Sequence, residues 1–187
     1  GAGLGKIGKE IYGERLELDR VFLKKVQGQI GLDVQPHKII TGIDATLDYI
    51  AKSPDKFVKI STYRADLESF HAKKLSKAKR ILNVFRTKVG PFENKFQFIV
   101  EDRVDSVVES GWDLFFNGED YLRPYLWGYL KDNWYIGKWS DELPEPLEEV
   151  ADKLKPILKA CNYRGAVSSE IMITKEGKVF LLDITCR

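Results

Sequence analysis

Two carboxylates near the C-terminus have a spacing that points to metal chemistry. Glu170 begins one apolar run, Asp183 ends another, and the turn residues 175–178 separate the two runs. This pattern predicts a β-hairpin whose first strand starts with an acid and whose second strand ends with one. The two acids would lie side by side at one end of the hairpin and could share magnesium, whose other ligands are usually water and substrate phosphates. An ATP site is therefore the leading interpretation of this segment.

The residues that follow Asp183 extend this interpretation. Strand side chains alternate, so Thr185 points to the same face as Asp183, where its oxygen would bind or orient a metal. Arg187 is next on that face, and a guanidinium can form paired hydrogen bonds with phosphate. Either acid alone is more often an ordinary solvated residue at a strand end. Their joint placement favours a row of side chains suited to phosphate.

The composition indicates a compact globular chain without a dominant charge. Apolar residues make up 43% of the 187 residues, enough for one good-sized core or two small lobes. Thirty basic and twenty-eight acidic residues give a net charge of +2, which does not favour nucleic acid or membrane as the main partner. Cys161 and Cys186 lack metal-ligand spacing, so a reduced, cytoplasmic setting is expected. No transmembrane run or signal peptide is recognisable, and we expect an intracellular chain or a piece cut from a larger one.

The first half of the sequence predicts a small α/β lobe over residues 1–95. Residues 1–15 contain several glycines, but no predicted strand precedes them, as a dinucleotide-binding loop would require. This segment is therefore predicted to be a flexible lead-in. Apolar periodicity predicts helices at 16–30, 43–51 and 66–84, and strands at 36–41 and 56–60.

The second half predicts a sheet-rich lobe over residues 96–187. Strands are expected at 96–100 and 106–116, followed by a turn at Asn117 and Gly118 and by a helix at 146–160. The aromatic stretch 121–144 is interpreted as a packed loop, because tryptophans usually bury large areas. The fold class is therefore α+β.

A basic segment at residues 73–80 leaves a different function open. With the aromatic stretch, its lysines could form a nucleic-acid-binding surface. Leu75 and Ala78 keep the spacing of a packed helix face, however, and basic helix faces are usually only solvated. Nucleic acid is therefore not the expected partner.

The order of the motifs resembles that of the ATP-grasp superfamily. The sequence pattern is most similar to the glycinamide ribonucleotide synthetase and D-alanine ligase branches. The C-terminal motif is the most specific part, since the superfamily has an acid, a hairpin and then acid-x-Asn-x-Arg. The resemblance implies two α+β lobes with an ATP cleft between them and magnesium on the phosphates. It also implies a small carboxylate substrate, activated as an acyl phosphate and captured by an amine or another nucleophile. The matching segments are Asp19-Arg20, residues 31–36, 57–60, 99–102 and 162–167, and the hairpin from Glu170 to Arg187.

The same resemblance implies roles for individual residues of the first lobe. Lys59 matches a lysine that contacts the nucleotide phosphates, and Arg20 stands where another phosphate-facing cation is common. Val100, Glu101 and Asp102 match the hinge whose backbone meets the adenine edge, with a carboxylate near the adenine amino group.

In the second lobe, Glu109 matches the acid that binds the ribose hydroxyls. Glu170 and Asp183 match the two magnesium-binding acids, and Thr185 occupies the position of a metal-contacting asparagine. Arg187 is expected to neutralise charge during transfer of the γ-phosphoryl group.

Three departures from the superfamily pattern weaken the case for ligase chemistry. Residues 61–71 contain no glycine where relatives have a glycine-rich phosphate loop, and Arg64 is expected to replace that loop by charge. His71, in the same stretch, is more often structural. Ser168 stands where some ligases keep an arginine, and Thr185 is a weaker metal ligand than asparagine. An ATP-dependent carboxylate ligase and a nucleotide-binding module without ligase activity both remain open.

Overall fold

The structure, a computed structural model, describes residues 6–7, 11–62, 69–131 and 134–186, with side chains from Arg15 onward. Two of the predicted site residues, Arg64 and Arg187, lie outside these ranges. The chain forms two compact units. The larger unit comprises Gly1–Glu17, Phe22–Val34 and Val104–Arg187, and the smaller unit comprises Leu18–Val21 and Gln35–Arg103.

The helices and strands alternate in the first half of the chain and are mostly strands in the second, which confirms the predicted α+β class. In chain order they are β1 (Lys6–Ile7), β2 (Ile11–Tyr12), α1 (Gly13–Leu18), α2 (Arg20–Gln29), β3 (His37–Thr41), α3 (Ile43–Lys52), β4 (Lys56–Ile60), β5 (Ser69–Ala72), α4 (Leu75–Val89), β6 (Gln97–Asp102), β7 (Ser106–Phe116), β8 (Tyr121–Lys131), β9 (Trp134–Ser140), α5 (Glu145–Ala160), β10 (Gly165–Thr174) and β11 (Val179–Cys186). None of the helices in the described ranges combines the length and apolar character that crossing a bilayer requires.

The smaller unit is a four-stranded antiparallel sheet with α3 and α4 on one face. The strands run in the order β3-β6-β4-β5. Val58 and Ile60 of β4 are buried in the core between sheet and helices, so alternation places Phe57 and Lys59 on the opposite face. The sheet thus holds Lys59 away from the apolar core.

The helix predicted at 66–84 is wrong in its first part. Residues Ser69–Ala72 form β5, which pairs with β4, and α4 begins only at Leu75. Phe70 and Ala72 are both buried and lie two residues apart, which is the spacing of a strand. From Ala78 onward the buried residues recur at helical spacing.

The larger unit is a five-stranded antiparallel sheet in the order β11-β10-β7-β8-β9. Helix α5 packs on one face, which we call the core face, and the opposite face is called the outer face. Trp112, Val167, Ile171 and Leu181 are buried on the core face together with the apolar side of α5. Neighbouring residues on each strand consequently point to the outer face.

The sequence predicts a packed loop over the aromatic stretch 121–144, and this prediction is wrong. The stretch consists mainly of the strands β8 and β9. These strands pair over their length, with Trp127 opposite Lys138. Trp127 is buried, whereas Trp134 and Trp139 are 76% and 61% exposed. Only one of these three tryptophans therefore packs in the core, because β9 is the edge strand of the sheet.

The division of the chain depends on the position of β6. This strand pairs with β3 and β4, so it belongs to the sheet of the smaller unit, and the units divide after Arg103. The boundary expected between residues 95 and 96 precedes this strand. The helix predicted at 16–30 is divided into α1 and α2 at Asp19.

Candidate functional site

The C-terminal hairpin forms, and it brings the two predicted metal acids together. Glu170 on β10 and Asp183 on β11 are direct register partners. They lie within the strands rather than at the hairpin's end, since β10 begins at Gly165 and β11 continues to Cys186. Oδ1 of Asp183 accepts a hydrogen bond of 3.0 Å from the backbone N–H of Ile184, which helps to hold that carboxylate.

An irregularity in β11 places Asp183 on the outer face. Glu170 pairs with Asp183 but the next residue, Ile171, pairs with Leu181, so Leu182 is an extra residue on β11. Such a bulge reverses the alternation of the strand. Leu181 therefore stays buried in the core while Asp183 points outward beside Glu170.

The outer face next to this pair carries further polar groups. Thr185 lies opposite Ser168, and the neighbouring strand β7 places Asp113 opposite Ser168 and Glu109 opposite Met172. Glu170 itself lies opposite Gly111 of β7. Four carboxylates thus occupy one face of three adjacent strands, and they are those of Glu109, Asp113, Glu170 and Asp183.

The oxygen donors on this face suit magnesium better than a transition metal. Over the described ranges, no group of three or more His, Cys, Asp or Glu residues has the arrangement of a metal cluster. Glu170 and Asp183 therefore offer two carboxylates and leave further positions to other ligands. This is the usual donor set of magnesium, which keeps several waters and binds phosphates beside one or two carboxylates.

In the smaller unit, Lys59 forms a buried ion pair with Glu101. Nζ of Lys59 lies 3.1 Å from Oε2 of Glu101, and the two side chains are only 13% and 3% exposed. Lys59 pairs in register with Ile99, so Glu101 is its diagonal neighbour on the same face of the sheet. The ion pair joins Lys59, which the resemblance matches to a phosphate-contacting lysine, to Glu101, which it matches to the adenine hinge.

Arg20 is buried beside the end of the strand that carries Lys59. Its Nη1 donates to the carbonyl of Ile60 at 3.1 Å, and its backbone N–H donates to the carbonyl of Ser61 at 3.2 Å. The hydroxyl of Ser61 donates to Asp19 at 3.3 Å. These bonds tie the start of α2 to the end of β4 within the smaller unit.

The three residues expected to form the adenine hinge differ in their surroundings. Val100 is buried and lies between Lys38 of β3 and Val58 of β4, so its backbone belongs to the sheet ladder. Asp102 is at the exposed end of β6 and pairs with Lys56. The hydrogen bond that the ammonium of Lys56 donates to Asp102 is the main cause that raises the pKa of Lys56. The strand ends after Asp102, and only there does the backbone leave the ladder.

His71 has structural contacts that account for its position. Its ring stacks on Phe57 with centroids 4.4 Å apart, and its Nε2 lies 2.7 Å from Oδ1 of Asp55. Both contacts lie within the smaller unit.

Two residues on the outer face, Asp113 and Tyr135, were not predicted from the sequence as site residues. Asp113 alternates with the buried Trp112 and Leu114, and this period of two was a usable signal. Tyr135 belongs to the stretch interpreted as a loop. Burial, and then the charge of Asp113, raise the pKa of the Tyr135 phenol.

The fold matches several solved structures. The ADP complex of N5-carboxyaminoimidazole ribonucleotide synthetase matches at 15% identity and a TM-score of 0.64, over 94% of this chain and 47% of that chain. The D-alanine–D-alanine ligase of Coxiella burnetii matches at 13% identity and 0.61, over 91% and 47%. An ATP-grasp RimK domain protein of Sphaerobacter thermophilus matches at 17% identity and 0.61, over 91% and 58%.

The likeness to these structures concerns the fold, because the sequence identities are low. The chain spans about half the length of the structures that it matches. No protein-family model matches the sequence, and a search of curated proteins finds no match.

Proposed function

Because this chain has the ATP-grasp fold, we propose that it binds ATP with magnesium and forms the nucleotide-binding part of a carboxylate–amine ligase. One of the structures that it matches is an ADP complex, and another is a D-alanine–D-alanine ligase. These similarities support a nucleotide as the ligand and ligation as the reaction class.

The observation that carries the proposal is the register partnership of Glu170 and Asp183. The bulge at Leu182 turns both carboxylates to one face while the residues beside them stay in the core. In the proposal these two acids hold magnesium, with the Thr185 hydroxyl next to them. Magnesium, when bound, would offset the negative charge of the phosphates and hold them in place.

Lys59 supplies positive charge for the phosphates in this proposal. A lysine is a point charge on a long stem and can reach a phosphate oxygen. The ion pair with Glu101 fixes the direction of the stem before ATP arrives, which lowers the entropy lost on binding. Arg20 supports the end of the same strand through Ile60 and Ser61. Contacts of Asp102 with adenine and of Glu109 with ribose stay predictions, as do the roles of Arg64 and Arg187.

The proposed reaction has two steps. In the first, an oxygen of the substrate carboxylate attacks the γ-phosphorus of ATP, the bond to the β-phosphate oxygen breaks, and ADP leaves. In the second, an amine nitrogen attacks the carbonyl carbon of the acyl phosphate, the carbon–oxygen bond to phosphate breaks, and the nitrogen gives up a proton. Positioning and electrostatic stabilisation would supply most of the rate, as in other phosphoryl transfers.

A nucleotide-binding module without ligase activity is the second candidate. It is favoured by the absence of glycine from residues 61–71, where a phosphate-covering loop would need it. In both candidates ATP binds, so turnover separates them.

The test is release of ADP from ATP and magnesium with panels of carboxylates and amines. A ligase releases ADP only when a suitable carboxylate is present, and it forms an amide only when an amine is added. Stabilisation of the fold by ATP, without turnover for any substrate pair, would support the binding module. Absence of both stabilisation and turnover would reject the proposal.

A further inference from the structure

The outer face of β8 and β9 carries an exposed apolar surface. Leu126 pairs with Trp139, and Leu130 pairs with Tyr135, so the four side chains share this face. Trp139 and Tyr135 are 61% and 44% exposed. We call these four residues the apolar shelf. Exposed apolar surfaces bordered by polar residues commonly mark binding sites.

Carboxylates border the shelf on the next strand. Asp113 of β7 pairs with Leu126, and Glu109 of β7 pairs with Leu130. The three register rows that run across the outer face from β10 to β9, all within described strands, contain no Lys or Arg. The charge next to the shelf is therefore negative, and it complements a cationic ligand.

Glycines between the two rows of the shelf leave its middle flat. Gly111, Gly128 and Gly137 lie side by side across three strands. The ring of Tyr135 lies over Gly137, because an added Cβ there would come within 2.7 Å of the ring. Tyr135 therefore lies along the sheet surface toward the row of Asp113, Leu126 and Trp139, so a carboxylate and an aromatic ring share this part of the outer face.

We propose that the apolar shelf binds the amine substrate of the ligase, and that this amine is an organic ammonium compound with an aromatic or bulky aliphatic body. The inference rests on the proposed function, since it names the acceptor of that reaction. The ammonium group would bind to Asp113 by a charge-assisted hydrogen bond and approach the Tyr135 ring by a cation–π contact. The body would lie across Leu126 toward Trp139.

The spacing of the strands fits such a ligand. Neighbouring strands are about 4.8 Å apart, so the body has roughly 10 Å of sheet surface between β7 and β9. Asp113 is the diagonal neighbour of Glu170, and such Cα atoms are about 7–8 Å apart. The nitrogen would thus lie on the same face as the proposed metal acids and close to them.

The test compares three probes of the same shape and different charge on the full chain without nucleotide. Phenethylamine is cationic, phenethyl alcohol is neutral and hydrocinnamate is anionic. Phenethylamine should bind with a dissociation constant on the order of 1 mM, the range for a ligand of this size. The alcohol should bind about tenfold more weakly and the acid more weakly still. Equal affinity for the three, or no binding of the amine at several millimolar, would overturn the proposal.

Variants locate the binding. Asp113→Asn should weaken phenethylamine about fivefold to tenfold and leave phenethyl alcohol unchanged, because only the charged bond is lost. Trp139→Ala should weaken both probes, and because Trp139 is exposed, the variant should fold like the wild type. Glu148→Gln, at an exposed position of α5, is the matched control and should change neither. Unchanged amine affinity in both Asp113→Asn and Trp139→Ala would reject this location.

The design keeps the two proposals apart. The probes are tested without ATP, so a chain that binds no nucleotide can still bind phenethylamine at the shelf. Conversely, ATP binding without amine binding would reject the shelf and leave the proposed function in place.

Discussion

The buried ion pair between Lys59 and Glu101 gives a quantitative prediction for the smaller unit. Lys59→Met and Glu101→Gln each remove one charge with little change of volume, and the double variant removes both. At 3.1 Å, an effective dielectric constant near 20 gives a direct attraction of about 5 kcal/mol. Desolvation of the two groups offsets part of this attraction, because the side chains are only 13% and 3% exposed.

Each single variant breaks this ion pair and leaves the other charge in a buried position. We therefore expect each to lower the free energy of unfolding by about 3 kcal/mol. The double variant should cost less than the sum of the two, with a coupling energy of at least about 2 kcal/mol. Equilibrium unfolding in urea, followed by circular dichroism, measures all three differences.

The Lys56–Asp102 pair provides the matched control. Its side chains are 19% and 50% exposed, so Lys56→Met should cost less than about 1 kcal/mol. Additive effects of Lys59→Met and Glu101→Gln, or a cost as small as that of Lys56→Met, would refute the buried ion pair.

Two other predictions concern the larger unit. Gly111→Ala and Gly128→Ala should each destabilise the sheet by about 2 kcal/mol or more, because the new Cβ would lie 2.2 and 2.3 Å from a backbone oxygen of the next strand. A Cβ added at Gly28 in α2 would meet no atom within 4 Å, so Gly28→Ala should instead stabilise the fold by up to about 1 kcal/mol. Thermal unfolding of the three variants measures these effects, and equal changes in all three would contradict the prediction. Burial raises the pKa of Tyr121 well above its usual 10.0, so stability that is present below about pH 10 should be lost as pH rises further, by up to about 1.4 kcal/mol per pH unit. Tyr121→Phe should reduce this loss of stability above pH 10, measured as the free energy of unfolding in urea. An equal dependence of that free energy on pH in both proteins would contradict the raised pKa of Tyr121.

The sequence predicts the hairpin and its acids because local signals specify them. The turn at residues 175–178 and the apolar runs beside it are continuous in the chain. The extra residue Leu182 has no such signal, because a bulge depends on the pairing with β10. The sequence therefore places the acids at the strand ends, whereas pairing places them within the strands.

The parts that the sequence did not predict depend on contacts between distant segments. β9 is an edge strand with aromatic residues exposed on both faces, so it lacks the alternation that marks a half-buried strand. β5 is only four residues long and is recognisable mainly through its pairing with β4. The contact between Lys59 and Glu101 likewise arises only when β4 and β6 pair, and no local spacing reveals it.

The proposed magnesium site is tested most directly by the magnesium dependence of ATP affinity in hairpin variants. Calorimetry with and without magnesium would compare the wild type with Asp183→Asn and Glu170→Gln. Glu176→Gln, in the exposed turn of the same hairpin, serves as the control. We expect magnesium to strengthen ATP binding in the wild type and the control. Each acid variant should lose at least about tenfold in affinity, roughly 1.4 kcal/mol, only when magnesium is present. The same magnesium dependence in all four folded proteins would contradict the site.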